Sequence, residues 1–224
     1  RLVEGPSDDL RLIRPPLEPY RGKIAANLWQ IFEPAAGTPV ADSRRLRAAV
    51  ALGTFDPPVD AAAVPDITSP VLLGTLDRWQ RQAEFLAKNL VEAVSQNPSL
   101  FQPYQQGLQS VGKYLVPELV HLARSLSNEQ RRGWAIMLCT QFAADDMGPL
   151  VDLLCDVPAD QSEVLYEALQ ARPTQAVPLL QAEVARGAPA DADHKELVRL
   201  AQRQANAAAT LLRLQPTAAD WAIW

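Results

Sequence analysis

The longest unbroken helical pattern runs from Lys195 to Leu214, with no Gly and no Pro. Leu197, Ala201, Gln204, Ala208 and Leu211 recur at three- and four-residue steps, and Leu200, Ala207 and Leu214 lie beside them. That spacing predicts a helix of about 20 residues with a broad apolar face. The face is mostly Ala, so a neighbour can approach closely. The same periodicity predicts helices over residues 8–13, 20–32, 43–55, 76–94, 99–111, 115–126, 127–142, 147–155, 160–169, 173–186 and from 216 onward. Asp42, Ser127 (in a capping-box-like pairing with Gln130), Asp145-Asp146 and Asp160 stand where helices begin, and Gly112 stands where one ends. Val and Ile never alternate with polar residues over a useful length, so no strand is expected. The prediction is about a dozen helices.

Two kinds of helix alternate. In the first, a leucine is followed after seven residues by an apolar residue and after four more by another leucine: Leu17, Ile24, Leu28; Leu108, Leu115, Leu119; and Leu169, Ala176, Leu180. Each set straddles a short polar break, at Glu18-Pro19, Gln109-Ser110 or Gln170 to Pro173. Seven and four are helical spacings, so one face is presented on both sides of the break. The second kind is Ala-rich, over residues 47–52, 134–138 and 207–211. Three alternations in order predict an all-α, single-domain α-solenoid of HEAT-like hairpins over residues 1–224, stacked right-handed. A plain irregular bundle is the competing arrangement. The proline-rich stretch at 56–76 interrupts the pattern and is expected to be an irregular inserted loop.

Composition sharpens this picture. The 224 residues carry a net charge of −5, which argues against a nucleic-acid partner, since phosphate contacts need a basic face. No segment approaches the length of apolar sequence that a membrane span needs. Proline is abundant and glycine scarce, at 19 and 10 residues. That balance breaks strands and suits helix starts. The chain opens without Met or a signal peptide and closes on Trp221-Ala-Ile-Trp224, so it reads as a piece of a longer protein.

Candidate chemistry is sparse. Cys139 and Cys155 lie in apolar runs and read as small buried hydrophobes, with their pairing left open by sequence. His121 and His194 lack partners at ligand spacing, so no metal site and no cofactor are expected. Asp145-Asp146 could serve acid–base work, but a helix cap explains the pair better. There is no phosphate-binding glycine loop. Trp29, Trp79 and Trp134 sit on helical stripes as core residues. Arg44-Arg45 and Arg131-Arg132 read as solvated faces. No catalytic residue is assigned, and the segment is expected not to be an enzyme.

Residues 28–33, 45–57 and 203–214 resemble the HEAT-like region of large bacterial, chiefly planctomycete, proteins; Asn97-Pro98, the stretch 166–169 and Phe142-Ala-Ala-Asp-Asp146 fit the same pattern. The likeness covers nearly the whole chain and departs at residues 56–76. In that family the region joins an N-terminal serine/threonine protein kinase domain to a C-terminal formylglycine-generating-enzyme-like domain. The resemblance implies a non-catalytic scaffold or spacer, on either the cytoplasmic or the extracytoplasmic side of a membrane-anchored parent. Neither flanking activity carries over, because no residue of either lies in this chain.

The function expected is therefore a scaffold that binds a protein partner or neighbouring domains of its own chain. The alternative is a ligand-sensing regulatory domain that controls an attached kinase or formylglycine-generating-enzyme-like domain. Trp221, Ile223 and Trp224 form an apolar edge at the last repeat and are the expected protein-contact residues, through which the chain associates with itself or with further repeats.

Overall fold

A computed structural model describes residues 18–35, 37–58, 77–143, 146–157 and 161–215. Among these the chain is all-α, with ten α-helices and no strand. They are α1 (Arg21–Phe32), α2 (Asp42–Phe55), α3 (Ala83–Gln96), α4 (Phe101–Leu108), α5 (Gly112–Ser125), α6 (Glu129–Phe142), α7 (Gly148–Asp156), α8 (Glu163–Gln170), α9 (Pro173–Val184) and α10 (His194–Leu214). Residues 77–81 are also helical and lead into α3 through a turn at Gln82. None of the described helices is long and apolar enough to cross a membrane.

The most extensive helix–helix contacts join α1 to α2, α5 to α6 and α9 to α10. Each pair sets a helix of the first kind against an Ala-rich partner. The polar breaks lie where the spacing places them. A 3-10 turn at Glu18–Tyr20 precedes α1, another at Gln109–Val111 separates α4 from α5, and Ala171 and Arg172 separate α8 from α9. Leu108, Leu138 and Leu169 are fully buried and Leu211 nearly so. Leu17 lies outside the described residues. Pro117 in α5 and Pro178 in α9 fall at the same place in their helices, two residues beyond Leu115 and Ala176. Each removes one helical hydrogen bond at an equivalent point.

Successive hairpins meet through the helices between them. The first hairpin's larger contacts are with α3 and α4; the third hairpin's are with α7 and α8. α2 crosses α4 where Gly53 faces Gly107, so closely that a Cβ on Gly53 would collide with the Gly107 carbonyl. The Ser110 hydroxyl donates to the Gly53 carbonyl at 2.9 Å, fixing the same crossing. Trp29, Phe32 and Trp79 are buried together with half-buried Phe85 at their edge, and neighbouring ring centroids are 5.0–6.3 Å apart. Arg78 lies over Trp29 at 3.8 Å and Arg45 over Phe85 at 3.6 Å.

Several local expectations need correction. Gly112 opens α5 rather than ending the previous helix, because the 3-10 turn carries the chain straight on. The cap of α6 is Asn128, whose side chain accepts from the Arg131 N–H at 2.9 Å, and not Ser127. Asp42 is the first residue of α2, and the cap position, Ala41, has no side-chain acceptor. The buried stripe of α10 is Arg203, Ala207, Thr210 and Leu211, rotated from the expected one; Leu197 is exposed. Asp193 supplies a full capping box with Glu196, which apolar periodicity does not reveal. Asp145, Asp160, residues 59–76 of the expected loop, and the contact residues Trp221, Ile223 and Trp224 lie outside the described set.

Candidate functional site

The main polar feature of the described residues lies where α5, α7, α9 and α10 converge. Its centre is Arg203, which is 7% exposed and faces inward between Leu200 and Ala207. A buried guanidinium is costly unless each of its N–H groups finds an acceptor. Here Nε donates to Glu183 of α9 at 2.6 Å, Nη1 to Asp156 at 2.7 Å and Nη2 to Asp152 of α7 at 2.8 Å. Arg124 of α5 reaches the other oxygens of Asp152 and Asp156, each at 2.6 Å. Arg199, one turn before Arg203, also approaches Asp156, at 3.3 Å.

Helix geometry explains the arrangement. Asp152 and Asp156 are four residues apart and so share a face of α7, as do Arg199 and Arg203 on α10. Both aspartates occupy the last turns of α7, where cations are favoured by the helix dipole. The polar side chains of α10 also serve the carbonyls that helix ends leave without partners. Asn206 donates to the Cys155 carbonyl at 2.9 Å, and Gln204 donates to those of Val184 and Arg186 at 3.0 and 2.8 Å. The long helix thereby holds the C-terminal ends of α7 and α9 in place.

Titration follows from these contacts. Burial works against the Asp152 carboxylate, yet hydrogen bonds from Arg124 and Arg203, with their charges, outweigh it and hold its pKa below the usual carboxylate value. Burial likewise opposes the charge on Arg203, and the bonds to Glu183, Asp156 and Asp152 more than offset that opposition, so its pKa is raised. Cys139 and Cys155 are free and buried, and burial pushes both thiols up to about 12. Neither is a nucleophile at neutral pH.

Beside this network a groove of about 540 Å³ opens between α5, α6, α7 and α10. Ala123, Cys155, Val157 and Val198 give it apolar surface; Arg132 and Lys195 add charge from opposite helices. Asp156 is the one carboxylate among the lining residues, against five cationic side chains. Arg132 and Lys195 have no ion-pair partner among the described residues, and the Arg132 Nε is buried without an acceptor. A smaller space of about 320 Å³ lies on another side of Arg203, bounded by Arg186, Glu196 and Leu200 among others.

The residues singled out from sequence are scattered relative to this site. Cys155 lines the groove, whereas His121 and His194 are exposed. No group of three metal-ligating side chains occurs among the described residues. Trp29 and Trp79 are core residues as expected, and Trp134 is half-buried against Phe101. The paired arginines are not simply solvated faces. Arg45 donates to the Phe32 carbonyl and to Gln82, and Arg132 turns into the groove. The network itself escapes sequence reasoning. Its one signal is an Arg placed four residues before Ala207 on a small-residue stripe, with an Asp pair at helical spacing upstream.

The class so far defined is an all-helical domain, with ten helices among the described residues. No protein-family profile, curated protein or solved structure matches the chain. The resemblance noted from sequence therefore identifies no family.

Proposed function

We propose that this domain is a non-catalytic helical-repeat scaffold whose hairpins stack in a HEAT-like solenoid and engage a protein partner or neighbouring domains of the same chain. The observation that carries the reading is the threefold recurrence of one hairpin: the same internal break, the same buried leucines and an Ala-rich second helix. The larger contacts of each hairpin are with nearby helices, as expected where every repeat packs on its neighbours. The groove between the second and third hairpins offers a binding surface of mixed charge and apolar character. The resemblance to the spacer between kinase and formylglycine-generating-enzyme-like domains supports the same role. Self-association through Trp221, Ile223 and Trp224 belongs to this proposal too.

A paired screen tests it. The chain is probed against a peptide array of varied composition and, in parallel, against nucleotides and metabolites by thermal shift. The scaffold reading expects peptide binding and no saturable stabilisation by small molecules. A metabolite that raises the melting temperature in step with its concentration, with no peptide bound, would replace it by the ligand-sensing reading.

A further inference from the structure

We propose that the groove between α5, α6, α7 and α10 binds an acidic peptide segment of a partner protein, with Arg132 and Lys195 as its primary anion contacts. The inference rests on the interaction-module reading above and names the partner's chemistry.

The argument begins with local charge. The chain as a whole is acidic, at −5. The network and the spaces beside it together reverse that sign: Arg124, Arg132, Arg186, Lys195, Arg199 and Arg203 stand against Asp152, Asp156, Glu183 and Glu196. Asp152, Asp156 and Glu183 are already engaged by Arg124, Arg199, Arg203 and Arg186, and Glu196 accepts from the Asp193 N–H in the α10 capping box. Arg132 and Lys195 contribute charge that no described residue answers. The Arg132 side chain is half-buried, and its Nε has no acceptor among the described residues.

Shape selects a peptide over a small oxyanion. A phosphate-sized ligand is held by donors that converge on one point. Here Lys195 and Arg199 are one turn apart along α10, a rise of about 6 Å. Val198 stands between them, 56% exposed, and Gln202 follows another turn on. Cations spaced along a helix with an apolar ledge among them match a chain that carries carboxylates and a hydrophobic side chain at intervals. The apolar surface from Ala123, Cys155 and Val157 would take that side chain.

The probe is a fluorescein-labelled nonapeptide of Glu-Glu-Leu repeats, titrated by anisotropy at low salt. Controls replace Glu by Gln or by Lys. The glutamate peptide should bind saturably and both controls should not. Arg132→Ala/Lys195→Ala should weaken binding by about tenfold or more, and binding should fall steeply toward 1 M salt, where the Debye length is about 3 Å. Because neither residue is ion-paired among the described residues, the thermal melt of the double variant should match the parent's. Arg131→Glu is the surface control: Arg131 pairs with Glu92 and does not line the groove. It should bind as the parent does. Equal loss in Arg131→Glu would overturn the site, as would full binding by the double variant. Displacement of the peptide by an equimolar amount of inorganic phosphate would overturn the peptide assignment in favour of a small oxyanion. If neutral or basic peptides bind and the glutamate peptide does not, this inference fails alone; if no peptide binds, the interaction-module reading fails with it.

Discussion

Arg203 is the residue on which the C-terminal half turns. It links α10 to α7 and α9 through three carboxylates while almost wholly buried. Removing the cation takes the close partner from Glu183, 12% exposed, and one of three arginines from Asp156, 10% exposed. Arg203→Met should therefore cost about 3 kcal/mol in urea denaturation, the usual scale for breaking a buried ion pair from one side. Adding Glu183→Gln should restore part of the loss. The pH dependence has a definite sign. The Asp152 pKa is depressed in the folded state, so its contribution is complete above the unfolded carboxylate value of about 3.9 and is lost as pH falls through the lower folded value. Stability measured from pH 6 downward should decline more steeply in the parent than in Asp152→Asn. Equal slopes would show that Asp152 is not held by the arginines. Little of this can be read in the sequence. Arg203, Arg199 and Arg124 look like ordinary surface arginines, because their partners come from other helices and only packing brings them together.

At the scale of elements, the sequence is far more legible. Buried leucines at helical spacing, interrupted by short polar breaks, locate α1, α5 and α9 and their Ala-rich partners to within a few residues. The differences fall at helix ends. Asn128 displaces Ser127 as a cap, and Gly112 continues the chain, since cap choice depends on the backbone angle at one residue. The stripe of α10 differs for another reason: a pattern of Leu and Ala cannot show that a charged residue will be buried by partners elsewhere. The crossing of α2 and α4 yields a paired test. Gly53→Ala gains helix propensity but drives a Cβ into the Gly107 carbonyl, and overpacking of this kind costs about 1–3 kcal/mol. It should be net destabilising. Gly133, inside α6, has no neighbouring atom within 4 Å of where an alanine methyl would sit, so Gly133→Ala should stabilise by about 0.5–1 kcal/mol. Opposite signs in chemical denaturation are the expected outcome, and a stabilising Gly53→Ala would show that the crossing is looser than described.

For the whole molecule, the helix pairs α1–α2, α5–α6 and α9–α10 can be arranged as a stack or folded into a bundle, and these differ in shape more than in local contact. Sequence periodicity favours the stack, but both arrangements bury the same leucines, so only the molecule's shape tests it. The central claim is that the hairpins extend in one direction, each packed on its neighbours, leaving grooves between them for a partner. Small-angle scattering of the segment spanning residues 18–215 tests it most directly. A compact domain of that length has a radius of gyration of about 16 Å. The stacked arrangement predicts a clearly larger value and an asymmetric distance distribution with a long tail, unchanged on dilution. A radius at the compact value with a symmetric distribution would contradict it.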